Sequence, residues 1–355
     1  MPQELFDILS NHAFDGNHCF LCGITLNTDN RTDEHVFPGW LQDALNIRDK
    51  TIVLLNRTTI PYRNLVIPCC QKCNNTHLSQ IENKIRSVIL DPTRTLDELS
   101  DEDLTRWLSK IYIGLHWKEL GLRSDLRQIN SAPILDKRAF ENMRTMHFFL
   151  QSTRKEMKFI GMYGSFPGSI IRARCKFSSS DQFDYHDNFF AHTAAIRIRD
   201  KGVIAIFDGG WHNYGFPDFR STHFLDRQLH PMQFSEIFAK VTYKSSLCRR
   251  IPFYSISQNV ETDEYLVALL AFDDENKRAG CMVIGTENGP IGMIPILSEE
   301  IDNSPAYYEW CQEEYAHGLA VYTKVPFDSL FVPPDLVRTM LQKDDGTFQD
   351  IPLAE

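Results

Sequence analysis

Several things are missing from this chain, and each absence narrows what it can be. No run of residues approaches the roughly 20 apolar positions that a membrane-spanning helix requires. The opening stretch, MPQELFDILSNHAFDG, lacks a basic start followed by an apolar core, so we expect no secretory signal. There is no internal repeat, no low-complexity tract and no Pro/Ser-rich linker, which argues against solenoids and disordered tethers. Basic excess is also lacking: 37 Lys and Arg against 47 Asp and Glu leave a net charge of −10. A surface that tracks phosphates is normally basic, so nucleic acid would have to be met by local positive stripes.

What is present is an ordinary folded composition, 43% hydrophobic and 24% charged over 355 residues, enough for two domains. We expect a soluble, cytoplasmic protein without membrane contact. Nine cysteines in such a chain argue for metal or core packing and against a disulfide framework. Cys175, Cys248, Cys281 and Cys311 are isolated and read as core.

The remaining cysteines cluster as Cys19-Phe-Leu-Cys22 and Cys69-Cys70-Gln-Lys-Cys73. A Cys-x-x-Cys turn aims two thiolates at one ion, and two such turns make the four-sulfur site of structural zinc. Cys19, Cys22, Cys70 and Cys73 are therefore the expected Zn²⁺ ligands, with Cys69 a substitute for Cys70. Four core cysteines at that spacing is the bland alternative.

Between the two turns lies Asp33-Glu34-His35-Val36-Phe37-Pro38. On a strand, neighbouring side chains point to opposite sides, so one can hold a metal while the next addresses a water. After the second turn comes Asn74-Asn75-Thr76-His77, then Leu78, Ile81, Ile85, Val88 and Ile89 at helical spacing. Asn74 and His77, three apart, would share one helix face; plain capping is the commoner job for such asparagines.

The order Cys-x-x-Cys, Glu-His-x-x-Pro, Asn-Leu-Val-Ile-Pro, Cys-x-x-Cys-Asn-x-x-His resembles the zinc-knuckle branch of the HNH (ββα-metal) endonuclease family, over about a quarter of the chain. That resemblance implies a β-hairpin and helix around one catalytic Mg²⁺ or Mn²⁺. It also implies His35 as general base, Glu34 as the metal-binding acid with Asn74 or His77, and Asn64 steadying the loop that carries the base. Two departures are visible: glutamate stands where aspartate is usual, and Asn64 lies one residue further from Cys70 than is common. The activity implied is hydrolysis of nucleic-acid phosphodiester bonds, with DNA as the expected partner and antiviral restriction or defence as the associated setting. The alternative is a non-catalytic zinc-finger binding or adaptor protein.

The fold class expected is α+β. Residues 1–95 would form the zinc-stapled HNH domain, 96–155 a helical segment, and 156–355 a larger mixed α+β domain for recognition, sensing, a regulatory partner or homo-oligomer assembly. Ser100-Asp-Glu-Asp should cap a helix carrying Leu104, Trp107, Leu108, Ile111 and Leu115, and a second helix should cover about 135–153. Phe189–Arg199 and Val203–Phe207 read as strands joined by a turn at Asp200-Lys-Gly, with Gly202 at positive φ. Tyr265–Phe272 and Cys281–Gly285 read as further strands of one sheet, and Pro231–Lys244 as helix. His116 and His147 should pack in helices. Arg172, Arg174 and Lys176, Arg197 and Arg199, and Lys244 with Arg249 and Arg250 are candidate basic faces that ordinary solvation explains equally well. A Trp211-His212 loop is read as a turn anchored by its tryptophan.

Overall fold

A computed structural model of the chain describes residues 5–9, 14, 16–136, 140 and 143–160. Beyond these it describes 166–189, 191–207, 227–247, 252–259, 264–272, 281–286, 289–295, 343 and 347–353. The chain is mixed α+β and divides into two units, Met1–Lys158 with Tyr254–Val267, and Phe159–Phe253 with Ala268–Glu355. No described helix is long and apolar enough to cross a membrane.

In the first unit β1 (Arg31–His35) is followed by a short helix, α1 (Gly39–Ala44), and a small hairpin of β2 (Thr51–Val53) and β3 (Thr59–Pro61). β4 (Val66–Cys70) then returns antiparallel to β1, pairing Glu34 with Ile67 and His35 with Val66. Residues directly opposite one another share a face of the ladder. Glu34 and Ile67, both buried, therefore form the inner face, while Asp33 and His35 face the more open side.

A wide π-helical turn, Cys73–Leu78, leads into α2 (Ser79–Ile89), whose Ile81, Ile85, Val88 and Ile89 are buried as their spacing predicts. Next comes α3 (Asp101–Leu120), opened by Ser100, whose side chain accepts from Asp103 N–H while the Asp103 carboxylate reaches back to Ser100. This helix is buried on almost every side from Asp103 to Trp117, as a helix apolar all round must be. One face lies on the hairpin: a Cβ on Gly114 would come within 3.2 Å of both Ile67 and Val36. One turn before it and one turn after it, Lys110 and Lys118 donate to backbone carbonyls of Val36 and Val66, each at 3.2 Å. The helices that the sequence sets apart as a separate segment thus pack into the first unit. The second of them, α4 (Arg144–Gln151), is shorter than its apolar pattern predicts.

The second unit is built on β6 (Ser169–Cys175), β7 (Phe183–Asn188), β8 (Thr193–Ile198), β9 (Lys201–Ile206) and β10 (Gln228–Leu229), in the order β10-β6-β9-β8-β7. Helix α5 (Pro231–Leu247) covers this sheet, its Phe234, Ile237, Phe238 and Val241 meeting Ala173, Cys175, Ala195, Ile204 and Ile206. β5 (Met157–Ile160) forms a three-stranded sheet with β11 (Pro252–Asn259) and β12 (Glu264–Phe272), and β13 (Cys281–Thr286) pairs with β14 (Gly289–Pro295).

Three expectations change. The strands belong to several sheets and not to one. The β8–β9 turn takes its positive φ at Arg199 (53°) and not at Gly202. Gly202 is needed for another reason: a Cβ there would lie 2.7 Å from Phe234 of α5. The Arg197 face is not basic surface, because Arg197 is fully buried and held by Asp184 at 2.5 Å and by Asp181. Lys176 is likewise paired, with Asp350 and the Ile351 carbonyl. The side chain of Lys244, residues Arg249 and Arg250, and the Trp211-His212 loop lie outside the described residues.

A candidate metal centre and a half-buried histidine

The two cysteine turns converge. The first is closed by Gly23, whose N–H donates to Cys19 O at 2.8 Å. Its φ of +72° and a Phe6 ring only 2.1 Å from any Cβ leave room for glycine alone. Phe20 N–H donates to Pro68 O at 2.9 Å, which lays this turn against β4, the strand that carries the second. The sulfurs of Cys19, Cys22, Cys70 and Cys73 all lie within 4.8 Å of one another. Hydrogen bonds from Cys22, then from Cys69, Cys70 and Cys73, lower the pKa of the Cys19 thiol, and bonding with Cys19 raises those of Cys22 and Cys73, so the cluster on its own favours the thiolate at Cys19. Four cysteines so placed could hold a structural metal such as zinc, and among the described residues no other group of His, Cys, Asp or Glu closes in this way. Cys69 is not one of the four, although its sulfur sits 3.8 Å from that of Cys19.

Outside this cluster stand the residues expected around a second ion. His35 ends β1 half-buried. Burial, then the charges of Lys110 and Arg48, lower its pKa below the usual histidine value and keep the imidazole neutral at pH 7. Glu34 points the other way, into the unit. Its carboxylate is 6% exposed and is bound by the Lys110 ammonium, itself 1% exposed. Lys110 also donates to Glu82 of α2 at 2.8 Å and to the carbonyls of His35 and Val36. Burial pushes the Lys110 pKa down, but Glu34 and Glu82 outweigh it and raise the pKa above the ordinary lysine value.

Asn74 and His77 do not share a face. The π-helical winding between them is wider than the 3.6-residue turn on which a spacing of three aligns side chains. Asn74 donates to Thr32 Oγ1 at 3.1 Å and to Asp33 O at 3.4 Å, tying the helix start to β1. The pKa of His77 is lowered by burial, then by Lys72 and Arg154, while its bond to the Thr153 backbone opposes this, so it looks toward the end of α4. Asn64 is exposed at the end of a 3-10 turn, Tyr62–Asn64. The loop after His35 is steadied instead by backbone, Val36 N–H donating to Leu65 O at 2.8 Å. Glu34, Asn74 and His77 therefore do not fit a shared Mg²⁺ or Mn²⁺: the acid is spent on Lys110, and the other two diverge.

Comparison with protein-family models, with curated proteins and with solved structures finds no match for this chain.

Lys110 and Glu82 were missed in the sequence, and a signal for the lysine was available. In Trp107-Leu-Ser-Lys-Ile-Tyr-Ile-Gly-Leu-His-Trp117 it is the one full charge in a stretch of helix otherwise fit for burial. Such a charge must meet opposite charge inside the protein.

Proposed function

We propose that the first unit is a nuclease of the HNH kind acting on nucleic acid, with His35 taking the proton of the water that attacks the phosphodiester. The observation that carries this reading is the register of β1 on β4. It sets His35 at the open end of a hairpin whose other face is closed by helices, beside a four-cysteine cluster that pins that hairpin to α2. Zinc held there would supply folding energy, not reactivity.

Each element has a defined task in this scheme. A neutral imidazole is the form a general base needs, and burial with Lys110 and Arg48 favours that form. Lys110 is sealed from solvent, so it cannot touch a phosphate; it acts by gripping the carbonyl of His35 and fixing the strand end that carries the ring.

A second reading is favoured by one specific observation, the engagement of Glu34 by Lys110. It makes the unit a metal-stapled nucleic-acid-binding or adaptor module without catalysis. Supercoiled plasmid incubated with wild type and His35→Ala, with Mg²⁺, with Mn²⁺ and with EDTA, separates the two. Nicking by wild type alone supports the nuclease. Folded wild type that retains plasmid in a salt-dependent way without nicking it supports the binding module.

A further inference from the structure

The cleft between the β1/β4 hairpin and α2 is lined by hard oxygen donors: the Glu34 and Glu82 carboxylates and the carbonyls of His35 and Val36. All four converge on one nitrogen, the Nζ of Lys110. Two carboxyl groups and two carbonyls are the kind of oxygen donor set that Mg²⁺, Mn²⁺ or Ca²⁺ select, and here an ammonium already supplies the cation. We propose that Lys110 is the resident cation of this cleft, a covalently tethered stand-in that takes the place a divalent ion would occupy and keeps Glu34 from being a metal ligand. The inference holds whether or not the unit cuts nucleic acid.

The packing explains why the lysine stays. Lys110 has no route to water: it and Glu34 are almost fully buried, and Glu82 covers the mouth at 16% exposure. Gly114, one turn along, lets α3 approach until Val36 and Ile67 are in contact, which fixes how far the Lys110 stem reaches. A divalent ion could not enter beside the ammonium without like-charge repulsion in a poorly screened site. Removing the ammonium would leave two carboxylates that can recover their balance only by protonation or by taking a cation.

The test is Mn²⁺ binding followed by electron paramagnetic resonance and by thermal melting, on full-length protein purified with zinc, for wild type, Glu34→Gln and Lys110→Ala. Wild type and Glu34→Gln should bind Mn²⁺ identically, and Mn²⁺ should shift their melting temperatures by the same amount. Lys110→Ala should melt lower than wild type and bind one additional Mn²⁺ per chain. Its melting temperature should rise by roughly 5–10 °C when Mn²⁺ is a hundredfold above its dissociation constant. Mn²⁺ bound by wild type and lost in Glu34→Gln would overturn the proposal. So would a Lys110→Ala protein whose binding and melting, folded or not, are indifferent to Mn²⁺. Plasmid nicking reads His35 and this titration reads Glu34, so either idea can fail without the other.

Discussion

Glu34 and His35 are neighbours in the chain with opposite surroundings, the carboxylate buried against Lys110 and the imidazole half-open at the end of the same strand. Their substitutions should separate cleanly. Glu34→Gln weakens a buried charge pair and should cost about 1–3 kcal/mol. His35→Ala, which alters only a side chain outside that network, should cost within about 1 kcal/mol while lowering any hydrolysis by on the order of 10²–10⁴-fold. Urea melts beside plasmid nicking check both, and a larger stability loss for His35→Ala would reverse the assignment.

Cys69 and Cys70 offer a second contrast. Cys70 belongs to the four-sulfur cluster, whereas Cys69 only abuts it, 3.8 Å from Cys19. Cys69→Ala should keep one zinc per chain and cost about 1–2 kcal/mol as a buried truncation. Cys70→Ala should lose the metal and with it the fold of the region. Zinc content by mass spectrometry with circular dichroism decides; equal zinc loss in both would make Cys69 a ligand.

These contrasts also mark what could be read from the chain. The cysteine turns, the stripe of α2 and the Ser100 cap were legible because each is local: a spacing, a period, a capping residue. The Asp33-Glu34-His35 run was legible as a strand end with two opposed side chains, and that alternation is present. What Glu34 meets was not legible, since its partner Lys110 lies 76 positions away, on a helix whose placement depends on Gly114. Asn74 and His77 failed as a pair for a local reason that no simple period reveals, a π-helical turn in place of an α-helical one.

His147 should make stability depend on pH. Its Nε2 donates to Phe20 O at 2.7 Å, which joins α4 to the first cysteine turn, and its Nδ1 accepts from Gln151 at 3.2 Å. That arrangement needs the neutral ring, and burial lowers its pKa to about 4. The folded value lies below the unfolded one, near 6.5. The stabilisation is therefore complete above that unfolded value and is lost as pH falls through the window down to the folded one. From pH 7.5 to pH 5 the loss should be about 2 kcal/mol. Urea melts of wild type and His147→Gln at both pH values test it, because acid effects on the cysteine cluster are common to the two proteins. An unchanged difference between them would remove His147 as the cause.

In the second unit Arg197 looks in sequence like part of a basic strand face, and its surroundings assign it the opposite role. The guanidinium is fully buried on β8, with Asp184 as its cross-strand partner on β7 and Asp181 just before that strand. A buried arginine between two carboxylates holds strands together, and its removal leaves two acids uncompensated. Arg197→Ala should therefore destabilise the protein by about 3–5 kcal/mol and leave nucleic-acid affinity, measured well below the melting temperature, unchanged in its salt dependence. A phosphate contact would behave in reverse, with stability nearly untouched and the slope of log affinity against log salt reduced by about 1. Filter binding at several salt concentrations, paired with thermal melting of the same preparation, tells the two apart.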